Sequence, residues 1–245
     1  MLNAPIRFHG VHTRATPLFP LVCLALLILF ATGCASSPRP QITFNPGATV
    51  ETLSSGVSLS VTSPQGNTGG TGYLLYRRPD RFHLVMLTPF GTTALEFFAR
   101  DDRVTVLLPS KGVAYVGSFS DLPARGGLQG WRMLRWVVEG DPFFRPGAPG
   151  TVERTDVEGR RTVAVYDGDG LLARKSSGDG EAVYRDYQSV GGVPLPETIE
   201  FTDPQGVRVK ITFDEPEVNG PVDDPLLTPK LEGVTLLPLS SLAGS

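Results

Sequence analysis

Val57, Leu59 and Val61 alternate with Ser58, Ser60 and Thr62. Strict alternation over six residues marks a strand with one face against a core and the other in water. The same period of two recurs along the chain. Segments 71–77 (TGYLLYR), 81–87 (RFHLVML), 92–99 (TTALEFFA), 103–109 (RVTVLLP) and 113–117 (VAYVG) extend a first block. A second block holds 160–166 (RRTVAVY), 171–176 (LLARKS), 181–187 (EAVYRDY), 196–202 (PETIEFT) and 207–213 (VRVKITF). Between them fall RPD, DD, SKG, DGDG, GDG and DPQG. These are residues that reverse a chain, Gly by reaching positive φ, Pro by fixing φ and Asp by bonding the backbone ahead of it. About eleven strands joined by short turns predict a mainly β protein with an antiparallel sheet.

One segment between the blocks has a different period. Leu128, Trp131, Leu134 and Val138 recur at intervals of three and four, which lays an apolar stripe along a helix. Gly140 suits the position just past a helix end, and Pro142 prevents continuation. A sheet of this size must cover its apolar face. It can close as a barrel, split into a sandwich or curl over a helix; one helix between two blocks of strands favours the third, a strongly curved sheet with the helix across its mouth and a space there for a ligand. Candidates for the lining are Leu74, Tyr76, Leu84, Met86, Leu95 and Phe97 on the strands, with Trp131, Leu134 and Val138 on the helix. Periodicity alone does not choose the inward parity, since a one-residue slip exchanges the two faces. Beyond Phe213 the chain becomes Pro-rich, with no periodic element of its own.

The N-terminus changes the picture. Arg7 and Arg14 lie in a stretch without acids, an apolar run follows from Leu18 to Phe30, and Ala31, Thr32 and Gly33 are small. That order is a secretory signal peptide, expected over residues 1–33. The apolar run is short for a membrane helix, and Pro20 interrupts its start. ATGC then has the form of a bacterial lipobox, which makes Cys34 the expected site of lipid attachment. Cys23 would leave with the signal, so Cys34 has no disulfide partner. Ala35 and Ser36 follow it, with no Asp to retain a lipoprotein in an inner membrane, so the outer membrane is the expected address. The predicted organisation is a lipidated Cys and tether over 34–50, a β domain over 51–219 and a Pro-rich tail over 220–245.

Charge and titratable residues narrow the functions. Losing Arg7 and Arg14 takes the formal charge from −3 to −5, which disfavours nucleic acid as a partner. His9 and His12 go with the signal, leaving His83. One His and one acylated Cys build neither a His/Cys metal site nor a Cys–His pair. His83 lies mid-strand, on the solvent or partner face, with no nucleophile motif beside it. DGDG at 167–170 lacks the further ligands of a calcium loop and reads as a hairpin turn. Glu197 and Glu200 read as solvated carboxylates. The expectation is no catalytic residue, no metal and no cofactor.

The turn in MLTPFGTTALEF holds an anomaly. Pro89 and Gly91 reverse the chain, yet Phe90 between them is a large apolar residue where water should be. On a domain tethered beside a bilayer, such a tip gains by entering lipid.

The run RFHLVMLTPFGTTALEFFARDDRVTVLLP (81–109) resembles the LolB family of outer-membrane lipoprotein receptors, with its Pro–apolar–Gly turn between strands. LRWVVEGDP (134–142) is similar to the family's helix end, and VPLPETIEFTDPQGVRVKITFDEPEVN (193–219) to its closing strands. The resemblance implies an incompletely closed barrel of eleven strands, lidded by helices over an apolar cavity. It implies a non-catalytic receptor that accepts acylated lipoproteins from a LolA-like periplasmic carrier and releases them into the outer membrane. Pro89, Phe90 and Gly91 would form the membrane-insertion loop, and acyl chains would be the ligand. Two alternatives keep the fold and change the job: an envelope lipoprotein acting as an interaction module, or a carrier or sensor of another amphiphile.

Overall fold

The computed structural model describes residues 42–244, apart from 46, 65, 123–147, 156–158 and 160. The predicted signal segment, Cys34, and the helix with Trp131, Leu134 and Val138 lie outside the described residues.

The described chain is one sheet of thirteen strands rather than eleven. The first six strands, β1 (Thr52–Ser63), β2 (Gly66–Arg77), β3 (Arg81–Leu87), β4 (Thr93–Arg100), β5 (Arg103–Leu108) and β6 (Val113–Ser118), form a meander. The next six, β7 (Gly150–Thr155), β8 (Arg161–Tyr166), β9 (Leu172–Ser177), β10 (Gly180–Val190), β11 (Val193–Thr202) and β12 (Arg208–Val218), form a second. Antiparallel pairing of β1 with β12 joins the two, with Val57 opposite Phe213 and Leu59 opposite Ile211. The last strand, β13 (Thr235–Pro238), adds parallel to β6. β13 and β7 are the two edges and do not pair, so the sheet is open and not a closed barrel. The helical segments among the described residues are short 3₁₀ turns, at Pro109–Lys111, Phe119–Asp121, Asp224–Leu227 and Leu239–Gly244. None of them forms the expected helical lid.

All eleven predicted segments lie in strands. The two additional ones, β7 and β13, lack the pattern that reveals a strand. β7 is exposed along its whole length, so no face of it is apolar by requirement. β13 has four residues, ends on Pro238 and comes from the segment read as an irregular tail.

Register settles the parity. Leu74 lies opposite Leu84, Leu84 opposite Phe97, Phe97 opposite Val106, and Val106 opposite Tyr115. Cross-strand partners share a face, so this row runs across five strands on one side, and every member is buried. Leu53, Val57 and Val61 of β1 continue that side toward Ile211 and Phe213 of β12. The opposite side of β1 carries Ser54, Ser58 and Ser60.

On β3 to β6 the outer face is buried as well, at His83, Phe98, Thr105 and Ala114. Part of the cover comes from the C-terminus. After β12 the chain passes the outer sides of β2 and β3, where Asp224 bonds Arg77 and lies 3.1 Å from Arg81. Those hydrogen bonds hold the Asp224 carboxyl below the ordinary carboxylate range. Val222 and Leu227 are buried there. The strap then supplies β13, and its last turn buries Leu239 and Leu242 in the core. Its start is fixed by Asn219, whose Oδ1 accepts from the Glu51 N–H at 2.8 Å while its Nδ2 donates to the Thr49 carbonyl at 3.0 Å.

Candidate functional site

The β3–β4 turn is built on Thr88. The Thr88 N–H donates to the Thr92 carbonyl at 2.8 Å, and the Gly91 N–H to the Thr88 carbonyl at 2.9 Å. The Phe90 and Thr92 N–H groups both point at Thr88 Oγ1, each at 3.3 Å. Thr88 and Thr92 share a hydroxyl–hydroxyl bond of 2.8 Å. Gly91 takes φ +79°, a region that L side chains enter at a cost. Pro89 has no N–H to satisfy. Every backbone N–H from 88 to 92 is therefore paired within the turn. Phe90 contributes no bond through its side chain and stands 92% exposed.

Below this tip the inner face loosens. Met86 opposite Leu95, and Leu108 opposite Val113, are half-buried where the deeper row of that face is closed. All four lie within a few residues of the turns at this end of the sheet. Of the proposed lining residues, Leu74, Tyr76, Leu84 and Phe97 are thus buried core side chains, while Met86 and Leu95 form an apolar rim beneath Phe90. All six share one face.

The candidates for chemistry go elsewhere. Glu197 and Glu200 are an odd number of residues apart on β11, so they point to opposite faces. Glu200 pairs with Arg208 at 3.1 Å. Asp167 closes a hairpin turn, its Oδ1 accepting from the Asp169 and Leu171 N–H groups. Among the described residues no group of three His, Cys, Asp or Glu side chains is placed to hold a metal. His83 is on the outer face, as its parity requires, but is buried rather than solvated. Its ring stacks on Phe98 at 3.9 Å, and its Nε2 lies 2.9 Å from Glu96 Oε2.

The wide, open sheet is shared with solved structures of the LolA superfamily. The fold is similar to that of a DUF1329 family protein from Desulfovibrio piger, with a TM-score of 0.58 and 15% identity over 73% of this chain and 90% of that one. It is similar also to that of a LolA superfamily protein from Nitrosomonas europaea, with a TM-score of 0.52 and 10% identity over 78% of this chain and 92% of that one. At such identities the likeness is one of fold. Residues 53–215 match the family model described as LolB, outer membrane lipoprotein LolB. The chain belongs to the LolB family. A comparison with curated proteins gives no match. Family membership supports a lipoprotein-binding role, and the family's members are non-catalytic carriers.

Proposed function

We propose that this protein is a receptor anchored in the outer membrane through lipid on Cys34. It takes acylated lipoproteins from a LolA-like periplasmic carrier and releases them into that membrane, with no covalent step. The observation that carries the reading is Phe90, 92% exposed at the tip of a turn whose hydrogen bonds do not involve its side chain. Full burial of such a side chain in lipid is worth about 1.5–3 kcal/mol. A chain-end anchor worth about 0.8 kcal/mol per buried methylene keeps the domain at the bilayer, so the tip meets lipid at high effective concentration. The half-buried rim of Met86, Leu95, Leu108 and Val113 continues apolar surface from the tip onto the inner face. Acyl chains would meet the protein at that rim. Moving a chain from a carrier to this face and then to lipid exchanges one apolar contact for another, so no nucleotide or metal is needed at this stage.

Depletion of the protein in its own organism tests the reading. Acylated lipoproteins should accumulate in the inner-membrane and periplasmic fractions, and the wild-type gene should restore them to the outer membrane. A gene carrying Phe90→Glu should restore a stable, correctly anchored protein and leave lipoproteins mislocalised. Unchanged lipoprotein distribution on depletion would overturn the reading and leave an interaction module or a carrier of another amphiphile.

A further inference from the structure

Among the described residues three turns share one hydrogen-bond plan, and only one of them is uncharged. In the turn at 167–171, the Asp167 N–H donates to the Leu171 carbonyl at 2.9 Å and the Gly170 N–H to the Asp167 carbonyl at 3.0 Å. Asp167 Oδ1 accepts from the N–H groups of Asp169 at 3.0 Å and Leu171 at 2.9 Å. In the turn at 203–207 the same bonds join Asp203 to Val207 and Gly206 at 2.9 and 3.1 Å. There Asp203 Oδ1 accepts from Gln205 and Val207, both at 2.8 Å. The turn at 88–92 repeats every bond, with Thr88 in the Asp position. The fourth residue is Gly in all three, at φ +79°, +75° and +82°. The third residue is Asp169 and Gln205 in the other two turns, and Phe90 here.

The sister turns are an internal control. They establish that this geometry does not require Phe at the third position, and that a carboxylate is the acceptor in both other turns. A carboxylate forms shorter, stronger bonds to the same N–H groups, and the distances agree: 2.8–3.0 Å to the Asp side chains against 3.3 Å to Thr88. The Phe90 turn thus forgoes the better acceptor. What it gains is neutrality. A carboxylate carried into lipid with the tip would be strongly penalised, whereas two hydroxyls bonded to each other at 2.8 Å present little unpaired polarity. Thr92 completes the pair at a position that holds buried Leu171 and Val207 in the sister turns.

We propose that Thr88 is a positioning residue for lipid entry. Its hydroxyl closes the Phe90 turn without charge, so that a fully hydrogen-bonded, uncharged tip enters the bilayer while folded. The proposal rests on the membrane-dipping reading of Phe90, and the test separates the two.

The full-length acylated chain carrying Phe90→Trp is reconstituted into vesicles of phosphatidylethanolamine and phosphatidylglycerol with brominated acyl chains. Quenching in excess of that in the chain with Phe90 intact reports the tip in lipid. With Thr88 intact the tip is quenched at both about pH 7.5 and about pH 4. Adding Thr88→Asp leaves thermal stability equal or higher, yet shifts the tip out of lipid by roughly tenfold or more at the higher pH. Thr88→Asn, a neutral acceptor for the same N–H groups, behaves as Thr at both values. Quenching of the Thr88→Asp chain equal to that with Thr88 intact at the higher pH overturns the role of Thr88 and leaves the insertion reading standing. Absence of quenching with Thr88 intact overturns the insertion reading itself.

Discussion

His83 holds two opposing demands. Burial beneath the C-terminal strap pushes its pKa below the ordinary 6.5, while the hydrogen bond to Glu96 and the nearby Leu226 backbone favour the proton. Burial dominates, so the ring is neutral in the folded protein at neutral pH. The sign of the pH effect follows. As pH falls through 6.5, the unfolded chain takes up a proton that the folded chain does not, and stability drops until the folded pKa is reached. Above 6.5 the ring is neutral in both states and contributes no slope. His83→Gln, which keeps a donor toward Glu96, should therefore flatten the dependence of Tm on pH in the window just below 6.5 without changing it above. An unaltered slope in that window would mean that the acid sensitivity comes from other groups. The outward parity of His83 was legible in RFHLVML, but its burial was not. The cover arrives from the other end of the chain, beyond the reach of any local pattern.

Among elements, β2 and β3 pack tightly at Gly72. A Cβ added at Gly72 would sit 1.8 Å from the Val85 carbonyl oxygen, which no side-chain motion relieves. Gly72→Ala should force the two strands apart and cost about 1–3 kcal/mol in urea unfolding, as overpacking does. Gly168, at the tip of the 167–171 turn, meets nothing within 4 Å and makes the control; its replacement by Ala should change the urea midpoint little. A Gly72→Ala protein as stable as the parent would refute the claim that β2 and β3 need this glycine. Strands and turns of this kind were readable because they repeat a rule: alternation for a half-buried strand, and for the turns Gly, Pro and an Asp that bonds the backbone ahead of it. The tip itself was readable as an anomaly, since Pro89 and Gly91 forecast the reversal and Phe90 violated it. β7 and β13 follow no such rule. One has no buried face, and the other owes its pairing with β6 to a partner far away in sequence.

For the whole molecule, the C-terminal segment decides what counts as the domain. Read along the chain, residues 220–245 are a Pro-rich tail with no periodic element. In the fold they clamp Arg77 and Arg81, cover the outer face of β3, add an edge strand to β6 and bury Leu239 and Leu242 in the core. Burying each of those two leucines is worth about 1.5–3 kcal/mol, against a net stability of about 5–15 kcal/mol for a domain of ordinary size. Val222 and Leu227 add to the loss, and His83 and Phe98 would gain a wet surface. Truncation after Asn219 should accordingly lower the urea midpoint steeply or leave a loosened state that binds a hydrophobic dye, with far-UV circular dichroism still showing strands. The β3–β4 turn makes none of these contacts, so Phe90→Glu should leave the same measurements unchanged while abolishing delivery. The two variants together separate the fold from its use. If the truncated chain keeps the parent's urea midpoint, the strap is an accessory, and the sheet from β1 to β12 is the complete folding unit.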